Sequence, residues 1–193
     1  MFALVESGSI TKMLNGNRGI TINGIQHPRA IYTLWTEAER NALGIYTIEY
    51  DDSNKKDEKW YINTNQSFAF ADNKVTASYG SATAKAHADA NGVDDDGNEL
   101  DPVVVIPGLK TKLIKTVKAQ AEGELNRTDW YITRKAEKNT AIPSAITTHR
   151  DAVRSKQASM CTAVTNASDT PALETLYTRD EDGVRPLGEI PTL

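Results

Sequence analysis

Residues 109–125 read LKTKLIKTVKAQAEGEL, and their apolar positions recur at every fourth residue. Positions four apart lie on one face of an α-helix, so this stretch predicts an amphipathic helix with a single apolar stripe. The stripe consists of Leu109, Leu113, Val117, Ala121 and Leu125. We interpret the lysines that fall mostly on the other faces as solvated: Lys110, Lys112, Lys115 and Lys118.

A second long helix is predicted from Ser144 to about residue 166. Pro143 stands at its start, where a missing N–H costs little. The apolar residues of this helix are spaced by seven and then by four: Ile146, Val153, Met160 and Val164. Because fewer than three clean heptads are present, we expect packing against the first helix rather than a coiled coil. A short helix over 171–177 follows.

The first 80 residues instead favour short strands. Gly8 separates two apolar-rich runs and tolerates positive φ, so a hairpin is predicted there. Further turns are expected at 15–17, 63–65 and 72–73. The predicted strands of this antiparallel β-rich domain are 2–5, 9–14, 45–50, 60–62, 67–70 and 75–79.

One short helix interrupts the strands. Thr36 has the character of an N-cap residue, and Glu39 stands at the position that completes a capping box. Gly44 is expected to end this helix.

Residues 81–106 predict a linker, because small residues and then acidic residues predominate and little apolar surface is available. The run 93–99 suggests a calcium loop. Placing Gly97 at the sixth position of an EF-hand puts Gly92 and Val103 where carboxylates are required, so that interpretation fails. We therefore expect an α+β protein with a β-rich docking domain (1–80), an acidic linker (81–106), a helical hairpin (107–178) and an extended tail (179–193) that needs a neighbour to pack on.

Composition limits the classes of partner. The net charge is -4, with 39% hydrophobic and 25% charged residues, which gives no reason to expect nucleic acid binding. Cys161 is the only cysteine, so neither an intramolecular disulfide nor a Cys-rich metal site is expected. The first residues lack the pattern of a signal peptide, and no run approaches the ~18 apolar residues that span a bilayer, so we expect no membrane insertion.

The sequence predicts no catalytic site. His27, His87 and His149 lie in three separate segments without metal-ligand spacing. Cys161 follows Met160 on the apolar side of a predicted helix, where a small buried thiol is usual. Nucleophile, phosphate-binding and dinucleotide motifs are missing from the sequence. We therefore expect a protein that is not an enzyme and needs no cofactor.

Two motifs carry a resemblance to a known group of proteins. Residues 129–137 read DWYITRKAE, 141–143 read AIP and 148–154 read THRDAVR. This arrangement resembles a short module near the C-termini of tail fibre, tail fibre assembly and baseplate-associated proteins of bacteriophages, especially marine ones. The opening MFALVESG is similar to the start of many small phage tail proteins.

The resemblance implies a virion component of the tail, made in the host cytoplasm, whose partners are other phage tail proteins. Such subunits often form homo-oligomers, trimers or rings among them. The alternative is a tail fibre assembly chaperone that is absent from the mature virion. We favour the virion component, because a β-rich domain with repeated Asn and Gly turns is more typical of a docking module.

Charged and aromatic residues on a helical hairpin suit a docking surface better than a reaction centre. The predicted interface residues are Trp130, Tyr131, Arg134, Arg150 and Arg154. The competing interpretation is that Trp130 anchors a small helical core.

Overall fold

A computed structural model describes residues 1–64 and 66–193; Asn65, in the predicted turn 63–65, lies outside them. The chain divides into two compact units, Met1–Thr83 and Ala84–Leu193. Strands dominate the first unit and helices the second, which confirms the predicted α+β class.

The first unit contains short strands, a 3₁₀ helix at Arg29–Tyr32 and one short α-helix. The strands are β1 (Phe2–Glu6), β2 (Ser9–Leu14), β3 (Ile20–Ile22), β4 (Ile25–His27), β5 (Ile45–Asp51), β6 (Tyr61–Ile62), β7 (Ser67–Ala71) and β8 (Lys74–Ser78), and β9 (Thr83–Ala84) spans the unit boundary. Helix α1 is Glu37–Ala42.

Five of these strands form a sheet in the order β2-β1-β5-β8-β7. Strands β1 and β2 form the predicted hairpin, with Ser7 and Gly8 at positive φ in the turn. Strands β7 and β8 form another, turning at Asp72 and Asn73, also at positive φ. The pairing of β5 with β8 is parallel, where we expected an antiparallel meander. The inner position of β8 follows from its alternation, which buries Val75 and Ala77.

The sheet carries an apolar cluster on each face. Leu4 and Ile45 belong to one cluster, together with Ile31 of the 3₁₀ helix. Ala3, the chain neighbour of Leu4, belongs to the other cluster with Val75. Successive residues of a strand point to opposite faces, so β1 contributes to both cores.

Helix α1 begins as predicted. The Thr36 hydroxyl accepts a hydrogen bond from the Glu39 amide, and the Glu39 carboxylate accepts one from the Thr36 amide at 2.8 Å. Gly44 follows the helix with a φ of 81°. The capping box is therefore confirmed.

The second unit begins with the short strands β10 (Ala90–Asn91) and β11 (Val105–Ile106), which pair antiparallel. Its helices are α2 (Leu109–Asn126), α3 (Asp129–Lys138), α4 (Ser144–Asn166) and α5 (Thr170–Tyr177). Helix α4 packs against α2, as expected. The predicted stripes face inward, with Leu113, Val117 and Ala121 of α2 buried, as are Ile146, Val153, Met160 and Val164 of α4.

Helix α3 lies between the two predicted long helices, in the stretch 129–143, where the sequence has no helical period and no helix was predicted. Asp129 lies in its first turn and Lys135 and Lys138 in its last, the charge order that the helix dipole favours. Asn139 ends the helix in the left-handed conformation and donates its N–H to the Lys135 carbonyl. End signals, rather than an apolar stripe, mark this helix.

Residues 84–106, most of the linker predicted over 81–106, belong to the second unit and are attached to its helices by specific contacts. The Asp89 carboxylate accepts hydrogen bonds from the Gly108 amide at 2.8 Å and the Thr111 hydroxyl at 2.9 Å, and so caps the start of α2. The buried Thr170 hydroxyl donates to the Lys85 carbonyl at 2.6 Å. Single polar residues therefore fix a segment whose apolar side chains, all of them described, are not buried.

The tail 179–193 also packs on its own chain, where the sequence suggested that it would need a neighbour. All its residues are described and none belongs to a helix or strand, yet Leu187 and Ile190 are buried. The Leu187 amide donates to the Leu176 carbonyl of α5 at 3.0 Å. Two buried apolar side chains and this backbone hydrogen bond anchor a segment whose composition is mostly polar.

Candidate functional site

The aromatic residues of α3 form a small surface cluster. The ring centres of Trp130 and Tyr131 are 3.8 Å apart, and their planes are inclined by 31°. The Arg134 guanidinium carbon lies 4.8 Å from the Trp130 ring centre and 5.5 Å from that of Tyr131. We call these three residues the α3 patch. The cation–π contacts hold the flexible arginine in one place, each contributing about 0.5–1 kcal/mol at an exposed position.

The α3 patch faces solvent. Trp130 is 52% exposed, so it is not the anchor of a helical core. Ile132, on another side of the same helix, is also exposed. None of the ten residues of α3, all of them described, is buried. An isolated helix of this length is marginal in water, so α3 depends on what holds its ends.

Arg150 of α4 holds the beginning of α3. Its Nη1 donates to the Leu125 carbonyl at 2.8 Å and to the Thr128 hydroxyl at 2.6 Å. The same nitrogen lies 2.8 Å from Oδ1 of Asp129. Arg150 is only 7% exposed, so it acts by positioning α3 rather than by touching a partner.

Arg154, one turn further along α4, is exposed. Its Nη1 lies 3.5 Å from Oδ1 of Asp151, an exposed ion pair of little energetic weight. Within the described residues Arg154 makes no hydrogen bond, ion pair or ring contact with the α3 patch. Of the five predicted interface residues, three therefore form the α3 patch, Arg150 contacts the start of the same helix, and Arg154 makes neither contact among the described residues.

Sequence reasoning missed Thr128, which is buried between α2 and α3 and accepts from Arg150. Arg150 follows Thr128 by 22 positions. No periodic pattern connects residues so distant, and only the opposite charges of Asp129 and Arg150 hinted at the contact.

Of the residues considered for catalysis, His149 and Cys161 make no hydrogen bond, ion pair or ring contact with the α3 patch among residues 1–64 and 66–193. His149 lies on α4 with Nε2 3.9 Å from Oε2 of Glu124. Cys161 is a partly exposed free thiol. Among residues 1–64 and 66–193, no three His, Cys, Asp or Glu side chains are grouped closely enough to hold a metal ion.

Stacked aromatic rings with a fixed guanidinium, as in the α3 patch, can bind another protein by burial and hydrogen bonding.

Comparison of the chain with protein-family models, with curated proteins and with solved structures finds no match in any of the three. Within the part of the chain that is described, the helices lack the combination of length and apolar character needed to cross a lipid bilayer.

Proposed function

We propose that this protein is a non-enzymatic structural component of a bacteriophage tail, a fibre, baseplate or connector subunit that docks on other tail proteins. The tail assignment rests on the resemblance carried by residues 129–154 and by MFALVESG at positions 1–8. The observation that supports docking is the α3 patch, a half-exposed tryptophan stacked with a tyrosine and an arginine on a helix with no buried residue among those described.

The chemistry of the α3 patch fits a protein interface. Tryptophan, tyrosine and arginine are the residue types most enriched among those that dominate binding energy. Arg134 already lies over both rings, so less side-chain entropy is lost when a partner covers it. Arg150 ties the start of α3 to α4, which limits the motion of the helix that carries the patch.

The virion assignment is tested by quantitative mass spectrometry of purified phage particles that carry this gene. A fixed copy number, in ratio to the known tail proteins, is the expected result. Recovery from the infected-cell lysate with none in the particle would instead identify the assembly chaperone.

The role of the α3 patch is tested by Trp130→Ala in the same particles. Losing an exposed aromatic anchor typically costs about 2 kcal/mol of binding free energy. The occupancy of this protein in the particles should therefore fall about thirtyfold at limiting protein concentration. Trp130→Phe keeps an aromatic ring and should retain part of the occupancy. Tyr50→Ala is the matched control, because Tyr50 is an exposed aromatic residue of β5. Equal losses for Trp130→Ala and Tyr50→Ala would contradict docking through α3.

A further inference from the structure

Strands β10 and β11 pair at the base of a two-stranded segment, residues 90–106, which we call the β-arm. Besides the strand pairing, the Gly92 amide donates to the Val104 carbonyl at 2.7 Å, and Val93 bridges to Glu99. The arm is thus an ordered structure whose backbone is tied together across its width.

The apolar side chains of the β-arm are unusually exposed. The residues concerned are 51–57% exposed and are Val93, Val103, Val104, Val105 and Ile106. Consecutive residues of an extended chain point to opposite faces, so residues 103–106 expose apolar surface on both sides. An uncharged run of β-branched residues on a sheet edge tends to pair with another chain unless something covers it.

The β-arm is also acidic. Residues 86–109 contain six carboxylates and neither lysine nor arginine. Asp95 and Asp96 stand at its tip, and in the described chain no cation is paired with either. A surface that covers this arm must therefore offer both an apolar floor and positive charge.

Helix α2 offers such a surface in the same unit. A groove of about 450 Å³ is lined by Thr111, Ile114, Lys115, Lys118, Ala119 and Glu122. Ile114 and Ala119 supply apolar surface, while Lys115 and Lys118 supply positive charge. Neither lysine has a carboxylate partner among residues 1–64 and 66–193. The opposite side of α2, with Val117 and Ala121, is the side that is buried.

We propose that the β-arm of one copy of this chain docks in the α2 groove of a second copy. Residues 103–106 cover Ile114 and Ala119, and Asp95 and Asp96 pair with Lys115 and Lys118. We assign a second copy as the occupant because the β-arm is acidic and the α2 groove is basic. Both surfaces also expose apolar side chains. The arm does not fill its own groove, since its apolar residues remain more than half exposed.

The contact joins two different surfaces, so it closes either as a reciprocal pair of copies or as a small ring. The contact involves neither the α3 patch nor a phage tail. The result of its test is therefore independent of the proposed function.

The test is sedimentation of the full chain over a concentration series, with charge-swapped variants. Wild-type protein should associate reversibly, and more weakly as salt is raised. Lys115→Glu with Lys118→Glu should weaken association about tenfold or more, as should Asp95→Lys with Asp96→Lys, because like charges then face each other. Combining all four substitutions should restore it.

Two further variants keep the test specific. Lys135→Glu with Lys138→Glu makes the same charge change on α3 and should leave association unchanged. Val104→Ser with Val105→Ser removes apolar surface from the arm without changing charge and should weaken association. The inference is overturned if the wild-type chain stays monomeric at every concentration, or if the variant that combines all four charge substitutions remains dissociated. It is also overturned if the α3 control weakens association as much as the α2 substitutions do.

Discussion

The β unit, Met1–Thr83, and the helical unit, Ala84–Leu193, both bury apolar side chains, but they differ in the contacts that join segments distant in sequence. In the β unit, apolar clusters cover both faces of one sheet, and neighbours in the chain such as Ala3 and Leu4 serve opposite faces. In the helical unit, segments distant in sequence are joined by buried polar side chains, Arg150 and Thr170. The difference shows that a few long-range hydrogen bonds can fix segments that contribute little to the apolar core of their unit.

The apolar basis of the β unit is broken most directly by Ile45→Ala. Ile45 is fully buried in the cluster with Ile31, so the substitution leaves a cavity and should lower the free energy of unfolding by about 4 kcal/mol. Urea unfolding followed by tryptophan fluorescence measures the change, because Trp35 packs against this cluster. Ile25→Ala is the control, since Ile25 is 63% exposed and its truncation should cost less than about 0.5 kcal/mol. Similar losses for both variants would refute the assignment of the core.

The long-range polar contacts of the helical unit are removed by Arg150→Met, which keeps an apolar side chain of comparable reach. The Leu125 carbonyl and the Thr128 hydroxyl then lose their donor, and we expect a loss of about 3 kcal/mol. Helical circular dichroism during urea unfolding reports the change. Arg154→Met is the matched control on the same helix, and its exposed ion pair predicts a loss below about 1 kcal/mol. Equal losses would mean that Arg150 does not tie α3 to α4.

Within the β unit, α1 tests whether a purely local signal contributes measurable stability. Thr36→Ala removes the hydroxyl that accepts a hydrogen bond from the Glu39 amide. It should lower the free energy of unfolding by about 1 kcal/mol. Thr36→Ser keeps the hydroxyl and should remain close to wild type in the same urea titration. An alanine variant as stable as the serine variant would show that the cap adds nothing to the fold.

The features that the sequence predicts are those encoded within a few residues. Thr36 and Glu39 are three positions apart and define the start of α1. Ser7 and Gly8 define a hairpin turn, and the four-residue spacing of Leu113, Val117 and Ala121 defines the buried face of α2. In each case the partners are neighbours, so a local pattern is sufficient.

The features that the sequence does not predict depend on partners far apart in the chain. Strand β8 pairs in parallel with β5, and its side chains are buried beside Ile48 in the same apolar cluster. No local turn signal in the sequence encodes this pairing. Residues 84–106 looked like a linker because their attachment depends on Asp89 and on the contact between Thr170 and Lys85. In the candidate site, the aromatic and charged residue types of the α3 patch were recognisable. The buried position of Arg150 was not, because its acceptors lie more than 20 positions earlier.

The smallest expected effect concerns Asp89, which directly precedes the β-arm and caps the start of α2. Hydrogen bonds from the Gly108 amide and from the Thr111 hydroxyl favour the ionised form and lower the pKa of Asp89 below its ordinary value of 3.8. A lowered folded-state pKa means that this contribution to stability is fully present above pH 3.8 and is lost as the pH falls through the folded-state value. The effect is small because Asp89 is exposed and water competes for both bonds.

Asp89→Asn isolates this contribution, because the amide oxygen still accepts a hydrogen bond but does not titrate in this range. Other carboxylates with lowered pKa values, Glu39 and Asp94 among them, are present in both proteins and cancel in the comparison. Urea unfolding from pH 7 to pH 3 should show wild type more stable by a constant margin above about pH 5, narrowing as the pH falls below the ordinary aspartate pKa. A margin that stays constant down to pH 3 would mean that the charge of Asp89 does not stabilise the start of α2.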